Sequence, residues 1–220
     1  MRELLRSFKS YLQQQLEFGE EEILLPVKNK LERLAILRAR VETCTLCPLS
    51  QARKNMVFGE GNENCSIAFV GEAPGREEDE RGLPFVGLAG QLLTRAIEAI
   101  GMQRKDVYIA NIIKCRPPNN RVPRESEIAS CLPYLLEQLS IIRPSVIGLL
   151  GAVATQSLLK VHAPMFKLRG KVLRHSGMTL LPTYHPAALL RNPNLKKSFW
   201  EDMKLLSSTL ESVKQARPDG

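Results

Sequence analysis

The alternation of strand-like and helix-like segments from residue 65 onward constrains the fold of this chain more than any other feature. Four short segments are rich in Val, Ile and Leu almost throughout, at 66–71, 107–113, 145–151 and 179–184. Helical patterns separate or follow them, at 89–100, 125–141, 152–160 and 195–214. Strands that are apolar on both faces are typical of a parallel sheet enclosed by helices. We therefore predict an α/β fold, a three-layer α/β/α sandwich with a central, mainly parallel four-stranded sheet.

Polar or glycine residues lie at or just beyond the end of each predicted strand. In chain order they are Glu72, Asn111, Gly151 and His185. Ligands of open α/β sheets bind at the carboxyl ends of the strands. We therefore expect these residues to share one site.

Four cysteines have the spacing of a metal site. Cys44 and Cys47 form a C-x2-C pair, and Cys115 and Cys131 lie far along the chain. Two ligands on a tight loop and two from distant positions are typical of four-thiolate sites, which hold either zinc or an iron–sulfur cluster. We interpret the fifth cysteine, Cys65, as structural.

The charge and the apolar segments of the chain indicate its surroundings. With 31 basic and 23 acidic residues the formal net charge is +8, which suits nucleic acid or an acidic membrane surface as a partner. The N-terminus does not resemble a signal peptide, and no apolar run approaches the roughly 20 residues that span a bilayer. We expect a cytoplasmic monomer, not bound to membranes, whose clustered cysteines are reduced metal ligands.

The first forty residues differ from the rest of the chain. An apolar stripe at helical spacing predicts one helix before Gly19, and a second is expected near 28–42. We predict a helical N-terminal extension over 1–40 and a catalytic domain over 41–220. The extension either packs on its own domain or docks a protein partner.

The loop after the first predicted strand, GEAPG (71–75), combines a carboxylate with an unusual backbone path. Two glycines and a proline can let its N–H groups converge on a ligand oxygen, and Glu72 adds a carboxylate. An ordinary solvated turn explains the same residues. The loop is not a nucleotide-binding G-x-x-x-x-G-K-[ST] loop, and the sequence contains none.

Further side chains can be explained either by packing or by recognition of a base. Phe85 is either a core residue or a surface on which a base stacks. Asn111 is either a structural amide or a group that bonds a donor and an acceptor on one base edge. His185 can donate a hydrogen bond to a developing anion. Leu189 and Arg191 suit an apolar tip that enters a duplex and a cation that contacts phosphate.

Three long stretches resemble the family 4 uracil-DNA glycosylases, the iron–sulfur type of bacteria and archaea. They are GEAPGREEDERGLPFVGLAGQLL, VYIANIIKCRPPNNR and HPAALLRNP. The resemblance covers roughly residues 41–205 in matching order and spacing, and leaves out the extension before Cys44. It implies an enzyme that flips uracil out of single- or double-stranded DNA and hydrolyses its N-glycosidic bond.

The resemblance implies a role for each candidate residue. A [4Fe-4S] cluster, with zinc the alternative occupant, is implied on Cys44, Cys47, Cys115 and Cys131. In the uracil pocket, Phe85 stacks on the base, Asn111 bonds its polar edge, and Glu78 lies near C5, where a thymine methyl would clash.

The remaining roles concern catalysis and DNA contact. His185 stabilises charge on uracil O2, Leu189 fills the vacated stack, and Arg191 contacts the DNA. The wider superfamily often has an acid or amide where this chain has Ala73, a position expected to contact substrate, so Glu72 becomes the candidate carboxylate for positioning water.

Two other classes of protein compete with this hypothesis. A non-catalytic DNA-binding module on the same fold suits the extension and the basic charge. This chain keeps all the candidate pocket residues, however, and a protein that only binds DNA would not need them. A zinc-dependent base deaminase is excluded because no H-x-E precedes a P-C-x-x-C motif. No lysine lies where it could form a Schiff base, so we expect base removal without strand cleavage.

Overall fold

A computed structural model describes residues 29–215 of this chain and, before them, Ser10. Its centre is a six-stranded sheet with the order β1–β3–β2–β4–β6–β5. The strands are β1 Glu60–Gly61, β2 Ile67–Gly71, β3 Tyr108–Asn111, β4 Val146–Leu150, β5 Leu173–His175 and β6 Met178–Thr183.

The four predicted parallel strands form the middle of this sheet. β3, β2, β4 and β6 pair in parallel, in the register Gly71 opposite Asn111 and Ile67 opposite Val146. The expected number of four strands is corrected to six, because β1 and β5 pair antiparallel along the two edges. Both edge strands are very short and contain no buried residue, so they lack the apolar run that marks a buried strand.

Helices cover both faces of the sheet. They are α1 Lys30–Glu42, α2 Leu49–Ala52, α3 Arg76–Arg81, α4 Leu88–Ala99, α5 Glu125–Ile142, α6 Ala152–Leu159, α7 Met165–Leu168, α8 Pro186–Arg191 and α9 Lys196–Gln215; short 3-10 turns cover Arg104–Asp106, Pro118–Asn120 and Pro193–Leu195. The five longest of those described agree closely with predicted helices, whereas α2, α3, α7 and α8 were not predicted. Within the described part of the chain, no helix has the length and apolar character needed to cross a membrane.

Successive residues of the central strands enter two separate hydrophobic clusters. In β2, Ala68 and Val70 join the cluster that contains α1, α5 and α6, whereas Ile67 and Phe69 join the one that contains α4 and α9. A strand alternates its side chains between the two faces of a sheet. Burial on both faces explains why these strands are apolar throughout and confirms the three-layer architecture.

Helix α1 packs on the domain core. Asn29 begins it, because the Asn29 side-chain oxygen accepts the Glu32 N–H at 2.9 Å. Its buried face, Leu34, Leu37 and Val41, packs against α5. The predicted first helix of the extension lies outside the described residues, and the boundary at 40/41 and a docking role for 1–40 stay predictions.

Candidate active site and cysteine cavity

A cavity of about 410 Å³ opens at the carboxyl ends of the central strands. We call it the strand-end cavity; its wall includes the predicted residues Glu72, Ala73, Glu78, Phe85, Asn111, His185 and Arg191. Further lining residues are Pro74, Gly75, Ala89, Pro117, Asn120, Arg121, Val122 and Ala187. Of the predicted base- and DNA-contacting residues, Leu189 alone does not line it.

Asn111 lies at the last position of β3 and is only 2% exposed. Its Oδ1 atom is buried and makes no hydrogen bond with any of the described residues. Gly71, opposite it on β2, allows this placement, since a Cβ there would lie 2.5 Å from Asn111 Oδ1 and 2.6 Å from Phe85 Cζ. An unpaired buried polar atom is destabilising by about 1–3 kcal/mol, and this oxygen keeps a hydrogen-bonding capacity that the described residues do not use.

Phe85 is held against the cavity in an unusual backbone conformation. Its φ of 51° lies in the left-handed region, which is strained for an aromatic residue. A side chain at Gly90 would collide with the Phe85 backbone, so this glycine lets the loop pack on α4. The Phe85 and His185 ring centroids are 5.5 Å apart and the rings are tilted by 31°. Two rings therefore border the same cavity as the Asn111 amide.

Glu78 connects the two loops that form this wall. One carboxylate oxygen accepts the Gly75 N–H at 3.1 Å, and the other accepts the Val86 and Gly87 N–H groups at 2.9 and 3.0 Å. These bonds tie the start of α3 to the loop that carries Phe85. The contacts give Glu78 a positioning role in addition to its place in the cavity wall, while its predicted role near uracil C5 stays a prediction.

His185 precedes α8 and caps it. Its Nδ1 atom accepts the Ala187 N–H at 3.1 Å, so in the neutral ring the proton is on Nε2, which remains a donor. Burial, followed by the nearby Arg191 charge, lowers the His185 pKa to about 4 against the opposing charge of Glu78. The imidazole is therefore neutral near pH 7 and can donate one hydrogen bond from Nε2.

Glu72 and Arg191 bring opposite charges to the same cavity. Burial raises the Glu72 pKa, and the Arg191 charge opposes that shift. Glu72 is half-buried, whereas Arg191 is exposed at the end of α8. Ala73 contributes a half-buried methyl group to the wall beside them.

The structure does not bring Leu189, the residue predicted to enter DNA, to the strand-end cavity, and its role at DNA stays a prediction. Leu189 is 1% exposed and belongs to the cluster that contains Phe199 and Met203. The next residue, Leu190, is 45% exposed. Neighbouring residues on a helix point about 100° apart, so one leucine stabilises the core and the other faces solvent.

The four predicted ligand cysteines converge on a second cavity. Cys44, Cys47, Cys115 and Cys131 all line it, together with residues of α1, α2 and α5. We call it the cysteine cavity; Cys65 lies outside it, in the hydrophobic core. All five cysteines are free thiols. Among the described residues, no group of three or more His, Cys, Asp or Glu side chains is arranged to hold a single metal ion.

Two cavity cysteines receive hydrogen bonds at sulfur. Arg53 donates from Nη1 to Cys115 Sγ at 3.1 Å and from Nη2 to the Glu42 carbonyl at 2.5 Å. The Lys114 N–H donates to Cys131 Sγ at 3.3 Å. Burial raises the Cys131 pKa to about 11, although the Lys114 charge lowers it. Four thiols in one cavity, with a cation and an amide directed at sulfur, suit a group that binds thiolates.

Sequence reasoning missed the loop that connects these two cavities. Residues 116–124 follow Cys115, and four of them, Pro117, Asn120, Arg121 and Val122, line the strand-end cavity. Arg53 was missed as well. The proline-rich and basic character of RPPNNRVPR was a usable signal for the loop, whereas Arg53 has no local pattern around it.

The comparisons with known proteins agree with this geometry. The family model of the uracil DNA glycosylase superfamily matches residues 58–204. The type-4 uracil-DNA glycosylase of Saccharolobus solfataricus is 46% identical over 191 residues, which cover 83% of this chain and 88% of that protein. The type-4 enzyme of Thermotoga maritima is 45% identical, with 82% and 96% covered. The type-5 uracil-DNA glycosylase of Pyrobaculum aerophilum is 32% identical, with 59% and 64% covered.

Proposed function

This chain belongs to the uracil DNA glycosylase superfamily, and we propose that it hydrolyses the N-glycosidic bond of uracil in DNA and leaves the strand intact. Type-4 uracil-DNA glycosylases are relatives over most of its length. Removal of uracil is the first step of base-excision repair. The net charge of +8 supports binding to the DNA backbone independently of sequence.

The Asn111 amide is the observation that carries this proposal. Uracil has an N3–H donor beside the O4 acceptor, and an amide offers an acceptor and a donor that match this pair. The buried, unpaired Oδ1 of Asn111 would accept the uracil N3–H. Cytosine reverses the pattern, with an acceptor at N3 and a donor at C4. The Phe85 ring beside the amide offers a stacking surface for a flipped base.

Bond cleavage leaves negative charge on uracil and positive charge on the sugar. His185 would donate a hydrogen bond from Nε2 to uracil O2. The neutral imidazole can make this bond near pH 7 because its Nε2 already carries a proton. One well-placed donor of this kind typically accounts for a factor of about 100–1,000 in rate. Glu72, when ionised, would position water and stabilise the sugar cation, with Arg191 favouring its charged form.

We propose that Cys44, Cys47, Cys115 and Cys131 hold a [4Fe-4S] cluster. The donor set fits, because four thiols from separate segments line one cavity. The cluster would supply a structural crosslink between these segments. Its ligands Cys115 and Cys131 flank loop 116–124, so the cluster supports the wall of the strand-end cavity. Leu190 replaces Leu189 as the proposed apolar tip of α8.

A strand-cleavage assay tests the proposed reaction. Labelled oligonucleotides with a single uracil, or with thymine at the same place, are incubated with the protein in the presence of a chelator, and half of each sample is treated with hot alkali. We expect alkali-dependent cleavage at uracil alone. Cleavage without alkali would contradict a monofunctional enzyme. If the uracil oligonucleotide stays intact both with and without alkali, although the protein is folded and binds DNA, the result would favour the non-catalytic module.

A further inference from the structure

Loop 116–124 carries an exposed apolar side chain at the rim of the strand-end cavity. Val122 is 65% exposed and still lines the strand-end cavity. The following residue, Pro123, is buried. The loop therefore packs on the domain through Pro123 and exposes Val122 at the rim of the cavity.

The loop is fastened on both sides of Val122 to one buried carboxylate. Glu127 is 1% exposed; its two oxygens accept the Arg121 guanidinium at 2.7 and 2.8 Å, and Oε2 also accepts the Arg124 N–H at 2.7 Å. Arg121 donates to the Val122 carbonyl as well, at 3.1 Å. Hydrogen bonds from Arg121 lower the Glu127 pKa to about 2, so this anchor stays charged at neutral pH. The residues before and after Val122 therefore cannot move independently.

The backbone before Val122 is equally restricted. Asn119 and Asn120 adopt left-handed conformations, with φ of 55° and 53°. Pro117 and Pro118 precede them, and the loop begins directly after Cys115. A preorganised loop loses little conformational entropy on binding, which makes an exposed apolar side chain on it effective against a rigid partner.

The charges around Val122 match a nucleic acid. Arg124, two residues after Val122, is exposed. Arg116, at the start of the loop, is half-buried and donates from Nε to Asn120 Oδ1 at 2.8 Å, which leaves its other guanidinium N–H groups to contact a phosphate. The guanidinium of Arg121 is bound to Glu127, so it serves the loop rather than a phosphate. An apolar side chain flanked by cations suits insertion into a base stack while the cations contact phosphates. The exposed Leu190 has the same context, since it precedes Arg191, another residue of the cavity wall.

We propose that Val122 is a second apolar wedge for double-stranded DNA, which enters the base stack beside the flipped uracil and acts together with Leu190. The inference rests on the proposed function, because it assumes that uracil is extruded into the strand-end cavity. A wedge lowers the free energy of unstacking. Its removal should therefore matter in proportion to the stability of the base pair that is opened.

The experiment compares Val122→Ala with the wild type on three substrates of the same sequence. They carry uracil opposite adenine, uracil opposite guanine, and uracil in a single strand. We expect kcat/KM to fall about tenfold for the U·A duplex, about threefold for the U·G mispair and less than twofold for the single strand. Val172→Ala is the matched control, since Val172 is an exposed valine outside the cavity wall; it should leave all three values unchanged.

The outcomes separate this proposal from the proposed function. If Val122→Ala lowers kcat/KM equally on all three substrates, or on none, Val122 is not a wedge. Excision of uracil from the single strand by the wild-type protein would still support the glycosylase assignment. A fluorescence measurement provides an independent readout. With 2-aminopurine beside a non-hydrolysable deoxyuridine analogue in a duplex, Val122→Ala should reduce the increase in fluorescence on binding, and an unchanged increase would contradict the wedge.

Discussion

The strand-end cavity and the cysteine cavity are neighbours on the chain, since Cys115 lines one and Pro117 the other, yet they are built in opposite ways. In the first, backbone amides hold the wall, three of them on Glu78 and one on His185, and the Asn111 oxygen has no partner within the part of the chain that the structure describes. In the second, four free thiols line the wall, and Arg53 and Lys114 donate hydrogen bonds to two of the sulfur atoms.

The difference suits what each cavity would hold under the proposed function, a substrate in the first and a permanent cluster in the second. A substrate leaves after every turnover, so its site must keep its shape alone and can tolerate an unpaired polar atom. A permanent group can itself connect the segments that surround it, as structural metal sites do. We therefore expect substitutions in the strand-end cavity to change activity first and those in the cysteine cavity to change stability first.

Asn111→Ala should give the largest effect on activity. Removing the amide that bonds the uracil edge should lower kcat/KM on a U·A duplex by about 100- to 1,000-fold. The melting temperature should stay the same or rise, because an unpaired buried oxygen is removed. The exposed Asn64 provides the control Asn64→Ala, which should resemble the wild type. If Asn111→Ala is much less stable than the wild type but equally active, Asn111 stabilises the fold and does not bind substrate.

Cys131→Ala should show the opposite pattern. Loss of one proposed ligand should remove the visible absorbance that an iron–sulfur cluster gives and lower the melting temperature by several degrees, with activity falling as the protein unfolds. Cys65→Ala is the matched control, a buried cysteine outside the cavity, and should keep the absorbance. Wild-type stability and activity in Cys131→Ala would rule out the structural role.

The adjacent leucines of α8 sharpen the comparison within a single helix. Leu189→Ala should lower the free energy of unfolding by about 2–4 kcal/mol, because it empties part of a packed core. Leu190→Ala should leave stability within about 0.5 kcal/mol of the wild type and lower kcat/KM on duplex uracil several-fold. Denaturant titrations and steady-state kinetics measure the two quantities. Equal stability losses would mean that both leucines are buried.

The pH dependence of stability should show the smallest effect. The His185 pKa is near 6.5 in the unfolded chain and about 4 in the folded one. Between these values the unfolded state binds more protons, so stability falls as the pH is lowered from 6.5 to 4.

His185→Gln should therefore lose less stability than the wild type over that interval, as measured by urea unfolding at pH 7 and pH 4.5. The raised Glu72 pKa contributes the opposite slope in both proteins, so the difference isolates His185. His162→Gln, at an exposed position, should keep the wild-type slope. An identical slope in His185→Gln would mean that the folded protein does not hold this imidazole neutral.

Much of the site could be predicted because its residues follow strands. Parallel strands bring their carboxyl ends together, so Glu72, Asn111 and His185 could be grouped before any distance was known. Glu78 could not be understood in this way. Its carboxylate accepts three hydrogen bonds from backbone amides, two of them in a loop eight and nine residues away. Every residue but proline has such an amide, so the residue types do not reveal which amides will donate.

The α/β architecture, the central parallel strands and the convergence of polar groups at their ends could be read from the amino-acid sequence, because they depend on local hydrophobic periodicity and on chain direction. Which of two adjacent leucines is buried could be learned only from the packed structure, because it depends on the rotation of α8 against the core. The packed structure also fastens Val122 at the cavity rim, through bonds between Arg121 and a carboxylate on α5. Such contacts depend on side-chain packing between elements, which no local pattern encodes.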